Sequence, residues 1–224
     1  MERRTCINRR TERLGWWSLP KYRITQSLLA DYLYIFRKDD GWESFLKTLN
    51  REPKEPTVAM LDGTRYESVL NHVLDGQPIP TDNEWYKPIT EMAEELQGSQ
   101  QQVILTKNTT VNGVDFVLHG VLDYLRAGHI WDCKYSKRYE IGKYHWSKTP
   151  QTAMYLALVP EAMDFTYIIS DGKWVYRERY PRDIVPPIEP TIKAFMEFLD
   201  HMNLVDTYCK NWDVANYDFY KRRK

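Results

Sequence analysis

Residues 120–135 read GVLDYLRAGHIWDCKY, and the predicted sheet is built around them. Two runs with the alternating pattern of β-strands flank the sequence Arg126-Ala127-Gly128, which is typical of a tight turn. Successive side chains of a strand point to opposite faces, so Asp132 and Lys134 lie on one face. We therefore predict a β-hairpin that returns Asp123 to the neighbourhood of Asp132 and Lys134.

The rest of the chain divides into helical and extended segments around this hairpin. Apolar residues recur with a helical period up to about residue 97, and from Gln101 the period becomes that of strands. The predicted helices are Thr25 to Arg37, Gly41 to Asn50, Thr64 to Leu74, Trp85 to Leu96, Pro150 to Val159 and Thr191 to Asp206. The predicted strands are Gln102 to Leu105, Val114 to Leu118, Gly120 to Leu125, His129 to Tyr135, Phe165 to Ser170 and Lys173 to Tyr180, with Asn112-Gly113 as a hairpin turn. This order predicts an α+β (mixed α/β) fold with a central mixed β-sheet flanked by helices, in a single domain over 1–224 whose core covers 23–206.

Composition limits the classes of function. The chain has 224 residues, of which 28% are charged and 42% hydrophobic, so we expect a folded protein. It contains no apolar run near the roughly 20 residues that cross a bilayer, and its start lacks the apolar core of a secretion signal. The three cysteines are too few and too far apart for a paired disulfide framework or a four-thiolate cluster. We expect a cytoplasmic protein without a membrane partner.

The basic residues are clustered although the formal net charge is zero. Zero charge argues against a protein that coats nucleic acid, but a nuclease needs positive potential only along a cleft. The clusters at both termini, in Arg3 to Arg13 and in 221–224, are interpreted as solvated charge. The middle cluster is interleaved with aromatic residues, which suits phosphate contact and base stacking, although a flexible charged loop has the same composition. Its position between the Lys134 strand and the next helix favours DNA contact by Lys137, Arg138, Lys143 and Lys148.

Two carboxylates beside an ammonium group suit the hydrolysis of phosphodiester bonds. Oxygen ligands favour Mg²⁺ or Mn²⁺, and such a metal polarises a phosphate and lowers the pKa of a bound water. Lys134 could orient that water, hold negative charge, or act as a base if its pKa were depressed. A short motif of this kind is more often a solvated strand face, so the wider pattern has to carry the assignment.

The wider pattern resembles the PD-(D/E)XK nuclease superfamily, in particular its RecB-type and phage exonuclease-like members. The resemblance extends over residues 23–180 and consists of Gly63-x-x-x-Glu67, Gly120-x-x-Asp123, Asp132-x-Lys134 and Gln151-x-x-x-Tyr155 in this order. It implies a metal held by Glu67, Asp123 and Asp132, catalysis by Asp123, Asp132 and Lys134, and a DNA path lined by Gln151 and Tyr155. Histidine often takes the place of Glu67 in the family, but the nearby His72 has the wrong spacing. The four cysteines of the relatives with an iron–sulfur cluster are absent, so no cluster is expected.

The resemblance implies a metal-dependent deoxyribonuclease, foremost an exonuclease of phage or mobile-element type used in DNA recombination, repair or degradation. A structure- or sequence-specific endonuclease and a catalytically idle DNA-binding adaptor with the same fold are the alternatives. The substrate is DNA in either enzyme. A recombination or single-strand-annealing partner protein and a homo-oligomer stay open from the sequence.

Overall fold

The computed structural model describes residues 21–216, which contain seven α-helices and six β-strands. The helices are α1 (Gln26–Tyr34), α2 (Gly41–Leu49), α3 (Val58–Leu74), α4 (Tyr86–Leu96), α5 (Gln151–Leu158), α6 (Glu189–His201) and α7 (Val205–Trp212). The strands are β1 (Tyr22–Thr25), β2 (Gln100–Val111), β3 (Val114–Arg126), β4 (His129–Tyr135), β5 (Asp164–Ser170) and β6 (Val175–Pro181). The basic clusters predicted at the two termini lie outside the described residues. No helix within 21–216 combines the length and the apolar character needed to span a membrane.

The six strands form one mixed sheet. The strand order is β1-β3-β4-β5-β6, and β2 also pairs with β3. The pairs β1–β3 and β4–β5 are parallel, whereas β3–β4 and β5–β6 are antiparallel. A mixed sheet accompanied by helices confirms the predicted α+β class.

Both predicted hairpin turns are present, and their backbone angles explain them. Asn112 and Gly113 have φ angles of 50° and 75° between β2 and β3, and Ala127 and Gly128 have 47° and 80° between β3 and β4. Two successive residues with positive φ are the requirement of the tight turns that match the twist of antiparallel strands. The second turn pairs Arg126 with His129 and so fixes the register of the hairpin quoted above.

Within residues 21–216 the chain divides into two compact units. Unit 1 contains residues 21–54, 106–120 and 187–216, and unit 2 contains 55–105 and 121–186. Every residue predicted for the catalytic centre, the metal and the DNA path belongs to unit 2. The assignment of the whole chain to a single domain stays a prediction.

The core of unit 2 covers one face of β3, β4 and β5. Helices α3 and α4 pack on this face, where the ring of Tyr66 stacks on that of Tyr135 with centroids 4.8 Å apart. The buried cluster consists of Tyr66, Leu70, Trp85, Ile89, Met92, Leu96, Tyr124, Trp131, Cys133 and Ile168. Trp131 and Cys133 thus face this core as the strand alternation predicts, which leaves the opposite face to Asp132 and Lys134.

Unit 1 has its own core of aromatic side chains. Phe45 of α2 and Phe195 of α6 are fully buried, and their ring centroids lie 6.4 Å apart. Tyr208 of α7 donates a hydrogen bond from its hydroxyl to the backbone oxygen of Arg23 in β1 at 2.9 Å. These contacts join the first and last described segments of the chain within one unit.

One predicted helix begins earlier than the sequence interpretation placed it. The prediction of a start at Thr64 was wrong, because α3 begins at Val58 and Thr57 caps it by accepting a hydrogen bond from Met60 N. Gly63 therefore lies inside the helix, and Glu67 lies near its middle. A threonine cap satisfies a backbone N–H that has no partner within the first turn.

Two further elements differ from the prediction. The final helix was predicted to continue to Asp206, but α6 ends at His201 because Asn203 takes a left-handed conformation with φ 56°. The chain restarts as α7 at Val205. Asparagine tolerates this conformation better than most residues, so it can end a helix. At the other end, Tyr22–Thr25 forms the strand β1, and Thr25 then caps α1 through Leu28 N.

Candidate active site

The site is built where β3 and β4 cease to pair. Their register ends with the pair Tyr124 and Trp131, and the Asp123 side chain replaces the next ladder bond. Its Oδ2 accepts a hydrogen bond from the backbone N–H of Cys133 at 3.0 Å. This bond places the Asp123 carboxylate beside the strand that carries Asp132 and Lys134.

Asp132 is held from two sides. It is 2% exposed, its Oδ1 accepts a hydrogen bond from Gln151 Nε2, and its Oδ2 forms an ion pair with Lys134 Nζ. A buried carboxylate is costly unless charged or hydrogen-bonding partners surround it, and these two contacts meet that need. The structure therefore brings Asp132, Lys134 and Gln151 together as the sequence predicted, but it bonds Gln151 directly to the acid.

Glu67 approaches the same centre from α3. Its Oε1 accepts a hydrogen bond from Gln102 Nε2 at 2.8 Å. Burial, followed by the negative charge of Asp132, raises the pKa of Glu67 against the opposing effects of Lys134 and Gln102. His72 is exposed in the last turn of α3, about 140° around the helix from Glu67 at 100° per residue. The choice of Glu67 over His72 as the residue that reaches a metal stays a prediction.

The electrostatics of the site are dominated by an excess of negative charge. Burial raises the pKa of Asp123 well above its ordinary value, and the charges of Asp132 and Glu67 raise it further. For Lys134, burial lowers the pKa, but the charges of Asp132 and Asp123 outweigh burial and hold this pKa above its ordinary value. Lys134 is therefore a cation at neutral pH, and it faces three carboxylates.

This donor set fits a hard divalent cation by its chemistry. Carboxylate oxygens are the ligands that Mg²⁺ and Mn²⁺ prefer, and a bound cation would offset the repulsion that raises the pKa of Asp123. In the described part of the chain no three His, Cys, Asp or Glu side chains are grouped to hold a metal. Mg²⁺ usually takes only one or two carboxylates and keeps several waters, so Asp123 and Asp132 would be enough as its protein ligands, and their role as ligands stays a prediction. Glu67 as a third ligand stays a prediction.

Tyr167 belongs to the site although the sequence interpretation did not single it out. It is the cross-strand partner of Asp132, and the Lys134 Nζ lies 5.9 Å from the centroid of its ring. Its hydroxyl donates to Gln151 Oε1 at 3.3 Å. Gln151 is thus oriented with its amide nitrogen toward Asp132. Tyr167 is recognised as a residue of the site only from the register of β4 and β5, because no residue spacing within one segment of the sequence points to it.

Helix α5 supplies Gln151 and Tyr155 from one face, as their spacing predicts. Gln151 is 8% exposed and Tyr155 is 7% exposed. Burial raises the pKa of Tyr155, and the charges of Asp132 and Asp123 add to this rise, so the ring lies within the electrostatic field of the site. Both side chains are thus largely buried and line the site next to its carboxylates.

The loop between β4 and α5 is anchored by Glu178 of β6. This carboxylate is 7% exposed, and its Oε1 accepts hydrogen bonds from Tyr139 Oη at 2.7 Å and from Gly142 N at 3.0 Å. Tyr180 Oη donates to Oε2 at 2.5 Å. The loop with the basic cluster therefore has fixed attachment points, contrary to a freely moving charged segment. Sequence reasoning missed Glu178, although its place between Tyr176 and Tyr180 on one strand face was a usable signal.

The four predicted DNA-contacting cations have different surroundings. Lys137 pairs with Asp62 at 2.7 Å, whereas Lys143 donates to Ser136 Oγ and Lys148 to Gly142 O, each at 2.7 Å. Arg138 is exposed to solvent. The bond to the neutral Ser136 Oγ does not cancel the charge of Lys143.

Comparisons with known proteins give a distant likeness in fold. The crystal structure of SSO0001 covers 86% of this chain and 84% of its own, at 14% identity and a TM-score of 0.49. The crystal structure of LHK-Exo in complex with dAMP covers 82% of this chain and 89% of its own, at 16% identity and a TM-score of 0.42. No protein-family model matches the sequence, and no curated protein matches it either. The functional assignment accordingly depends on the geometry of the site.

Proposed function

We propose that this protein is a Mg²⁺- or Mn²⁺-dependent deoxyribonuclease that hydrolyses phosphodiester bonds at Asp123, Asp132 and Lys134. The observation that carries the proposal is the convergence of these side chains on the face of β3 and β4 opposite the core. A solvated strand face would leave such charges apart and exposed. Here Asp132 is buried, and the pKa of Asp123 is raised by burial and by neighbouring acids.

Each residue has a distinct task in this proposal. Asp123 and Asp132 would hold the metal, which when bound supplies a polarised phosphate and an activated water. Gln151 fixes the orientation of the Asp132 carboxylate through its side-chain amide. Tyr167 in turn orients Gln151 through its hydroxyl. The acid is thereby held in place before a substrate arrives, which reduces the cost of reorganisation.

Lys134 acts as a cation. Its raised pKa makes deprotonation at neutral pH unfavourable, which argues against the role of general base. A protonated amine beside the reacting phosphate stabilises negative charge that develops on the phosphate oxygens. We therefore assign it charge stabilisation and orientation of the attacking water.

Within this activity an exonuclease is the leading form, and an endonuclease is its alternative. The test is digestion of end-labelled linear DNA and covalently closed circular DNA with Mg²⁺, for the wild type, Lys134→Ala and Asp132→Ala. We expect the wild type to consume linear DNA, and both variants to lose at least about 100-fold in rate, the usual cost of one electrostatic contact to the transition state. Opening of the circle would assign an endonuclease.

The exposed Lys87 on α4 offers a matched control. Lys87→Ala removes the same charge from the same unit and should cleave like the wild type. Undiminished cleavage by Lys134→Ala, or inactivity of the wild type on both substrates, would overturn the proposal.

A DNA-binding adaptor with the same fold is the second candidate, and one observation favours it. The carboxylates already accept hydrogen bonds from Gln102, Cys133 and Gln151, so they have partners without a metal. Calorimetry with Mg²⁺ and Mn²⁺ separates the two candidates. DNA binding without metal binding would assign the adaptor, and metal binding that Asp123→Asn abolishes would assign the nuclease.

A further inference from the structure

The turn between β5 and β6 presents an exposed tryptophan on a fixed backbone. Trp174 is 68% exposed. Oδ1 of Asp171 accepts the backbone N–H groups of Lys173 and Trp174, each at 2.8 Å, and its Oδ2 accepts the hydroxyl of Tyr176 at 2.9 Å. Single exposed apolar residues are common on protein surfaces, so the position of this one has to decide its meaning.

The pleat of β6 assigns Tyr176 to the face of the sheet that carries the proposed catalytic centre. Val175 packs against the core of unit 2, so the next residue, Tyr176, alternates to the opposite face. Tyr176 is level with Lys134, because Lys134 pairs with Ile169 and Ile169 pairs with Tyr176. Trp174 lies two residues before Tyr176, in the turn that leads into β6.

The distance between Lys134 and Trp174 corresponds to the length of a few nucleotides. Two strand spacings of about 4.8 Å and two residues of about 3.3 Å each combine to roughly 12 Å. Successive stacked nucleotides are about 3.4 Å apart along one strand, so the distance corresponds to three or four of them. An extended DNA strand, whose nucleotides are farther apart, would cover the same distance with fewer nucleotides.

A continuous series of aromatic rings leads from Lys134 to Tyr176, two residues from Trp174 in the chain. Starting from Tyr167 beside Lys134, the ring centroids of consecutive neighbours are 5.3 Å apart to Tyr144, then 6.4 Å to Tyr139 and then 4.7 Å to Tyr176. Lys143 Nζ lies 5.7 Å from the ring of Tyr144, so positive charge accompanies the rings. Tyr167 is fully buried and only supports the row, whereas Tyr144, Tyr139 and Tyr176 are partly exposed. Exposed aromatic rings with adjacent cations are the arrangement that binds single strands by base stacking and phosphate contact.

We propose that Trp174 is a base-stacking subsite for single-stranded DNA that leads to the catalytic centre. The proposal rests on the proposed nuclease function and adds the form of the substrate to it. Bases of an unpaired strand have free faces that an indole can stack on, whereas the bases of a duplex are stacked on each other. The fixed turn limits the loss of side-chain and loop freedom when a base binds.

The test is equilibrium binding of a fluorescent oligothymidylate and of a blunt duplex to the full chain, without divalent metal so that no cleavage occurs. We expect Trp174→Ala to weaken binding of the single strand about 5- to 100-fold, and Trp174→Phe to retain most of it. Binding of the duplex should not change. Trp42→Ala, which removes a partly exposed tryptophan from unit 1, should bind the single strand like the wild type.

Each outcome decides the inference separately from the proposed function. Equal single-strand affinities of Trp174→Ala and the wild type overturn it, as does an equal loss of duplex binding or a wild type that binds no single strand. If the wild type cleaves DNA but Trp174→Ala is unaffected, the nuclease assignment stands and the subsite does not. If Trp174→Ala loses single-strand binding while the wild type cleaves nothing, the subsite stands without the nuclease.

Discussion

The substitution Asp123→Asn should stabilise the metal-free protein, whereas Asp164→Asn should destabilise it. Asp123 lies among acids, and Asp132 and Glu67 raise its pKa beyond the effect of burial. Asp164 is 3% exposed whereas Asp123 is half-buried, but Asp164 forms an ion pair with Arg179 and a hydrogen bond with His129 Nδ1 at 2.8 Å. The substitutions Asp123→Asn and Asp164→Asn change the side chain in the same way, so the opposite signs expected for them report the opposite charges around the two residues.

The magnitudes follow from these contacts. Two like charges a few ångströms apart repel by roughly 4 kcal/mol at an effective dielectric of about 20, and attraction to Lys134 offsets part of this. We expect Asp123→Asn to raise the free energy of unfolding by about 1–2 kcal/mol, since asparagine can still accept the Cys133 N–H. Asp164→Asn loses charged hydrogen bonds and should lower it by about 1.5–3 kcal/mol. In a protein of this size the melting temperature should shift by about 2–4 °C per kcal/mol.

The pH dependence provides a second reading of the same effect. A carboxyl whose folded pKa is raised imposes no penalty below its unfolded pKa of about 3.9, because it is protonated in both states. The penalty grows as pH rises through the folded pKa and is complete above it. The advantage of Asp123→Asn over the wild type should therefore be absent near pH 4 and largest at neutral pH.

The assay is urea unfolding followed by tryptophan fluorescence in the presence of a chelator, at several pH values. Destabilisation by Asp123→Asn at neutral pH would show that Asp123 is not repelled by its neighbours, as would a stabilisation that does not fade in acid. Adding Mg²⁺ should stabilise the wild type by mass action and leave Asp123→Asn unchanged, which links the repulsion to metal binding.

Two further predictions concern the loop anchor and the glycines. Glu178→Ala should make residues 136–149 sensitive to trypsin, because the loop loses its hydrogen bonds to this carboxylate. Arg179→Ala, which alters the same strand without touching the loop, should leave the loop resistant. Mass spectrometry of the fragments measures this, and equal resistance of both variants would contradict a role of Glu178 in holding the loop. Gly63→Ala should stabilise α3 by about 0.5–1 kcal/mol, because no atom lies within 4 Å of the added Cβ. Gly41→Ala should cost about 1–3 kcal/mol, because its Cβ would meet the backbone oxygen of Tyr34 at 2.6 Å; thermal unfolding of the two variants should therefore show opposite shifts.

The sequence predicted the central hairpin and the face that carries Asp132 and Lys134, because both depend on local rules. Alternation along a strand has a period of two, so the opposite orientations of Asp132 and Cys133 follow once the strand is located. Gly128 identifies the turn that returns the chain. The predicted start of α3 after Gly63 was wrong, because the helix begins earlier, at the cap formed by Thr57.

Other parts of the site depend on contacts between segments. The pairing of Asp132 with Tyr167 is set by the register of β4 and β5, which no pattern inside either strand determines. The four-residue spacing of Gln151 and Tyr155 indicated a shared helix face, but not that Gln151 would bond to Asp132. Strand β1 has only four residues, and its parallel pairing with β3 gave it no local signal.

The distribution of charge indicates how a chain of zero net charge would hold the proposed DNA substrate. At the centre, three carboxylates outnumber Lys134, which favours a divalent cation and repels a phosphate until that cation is present. Beside the centre, Lys143 donates to the uncharged Ser136 Oγ, a bond that does not cancel its charge, whereas Asp62 pairs with Lys137. Because charges within a Debye length of about 8–10 Å are felt locally, this arrangement can attract DNA beside the acids while the whole protein stays neutral. Affinity for DNA should then depend on whether Glu178 keeps the loop over residues 136–149 ordered, and not on the net charge of the chain.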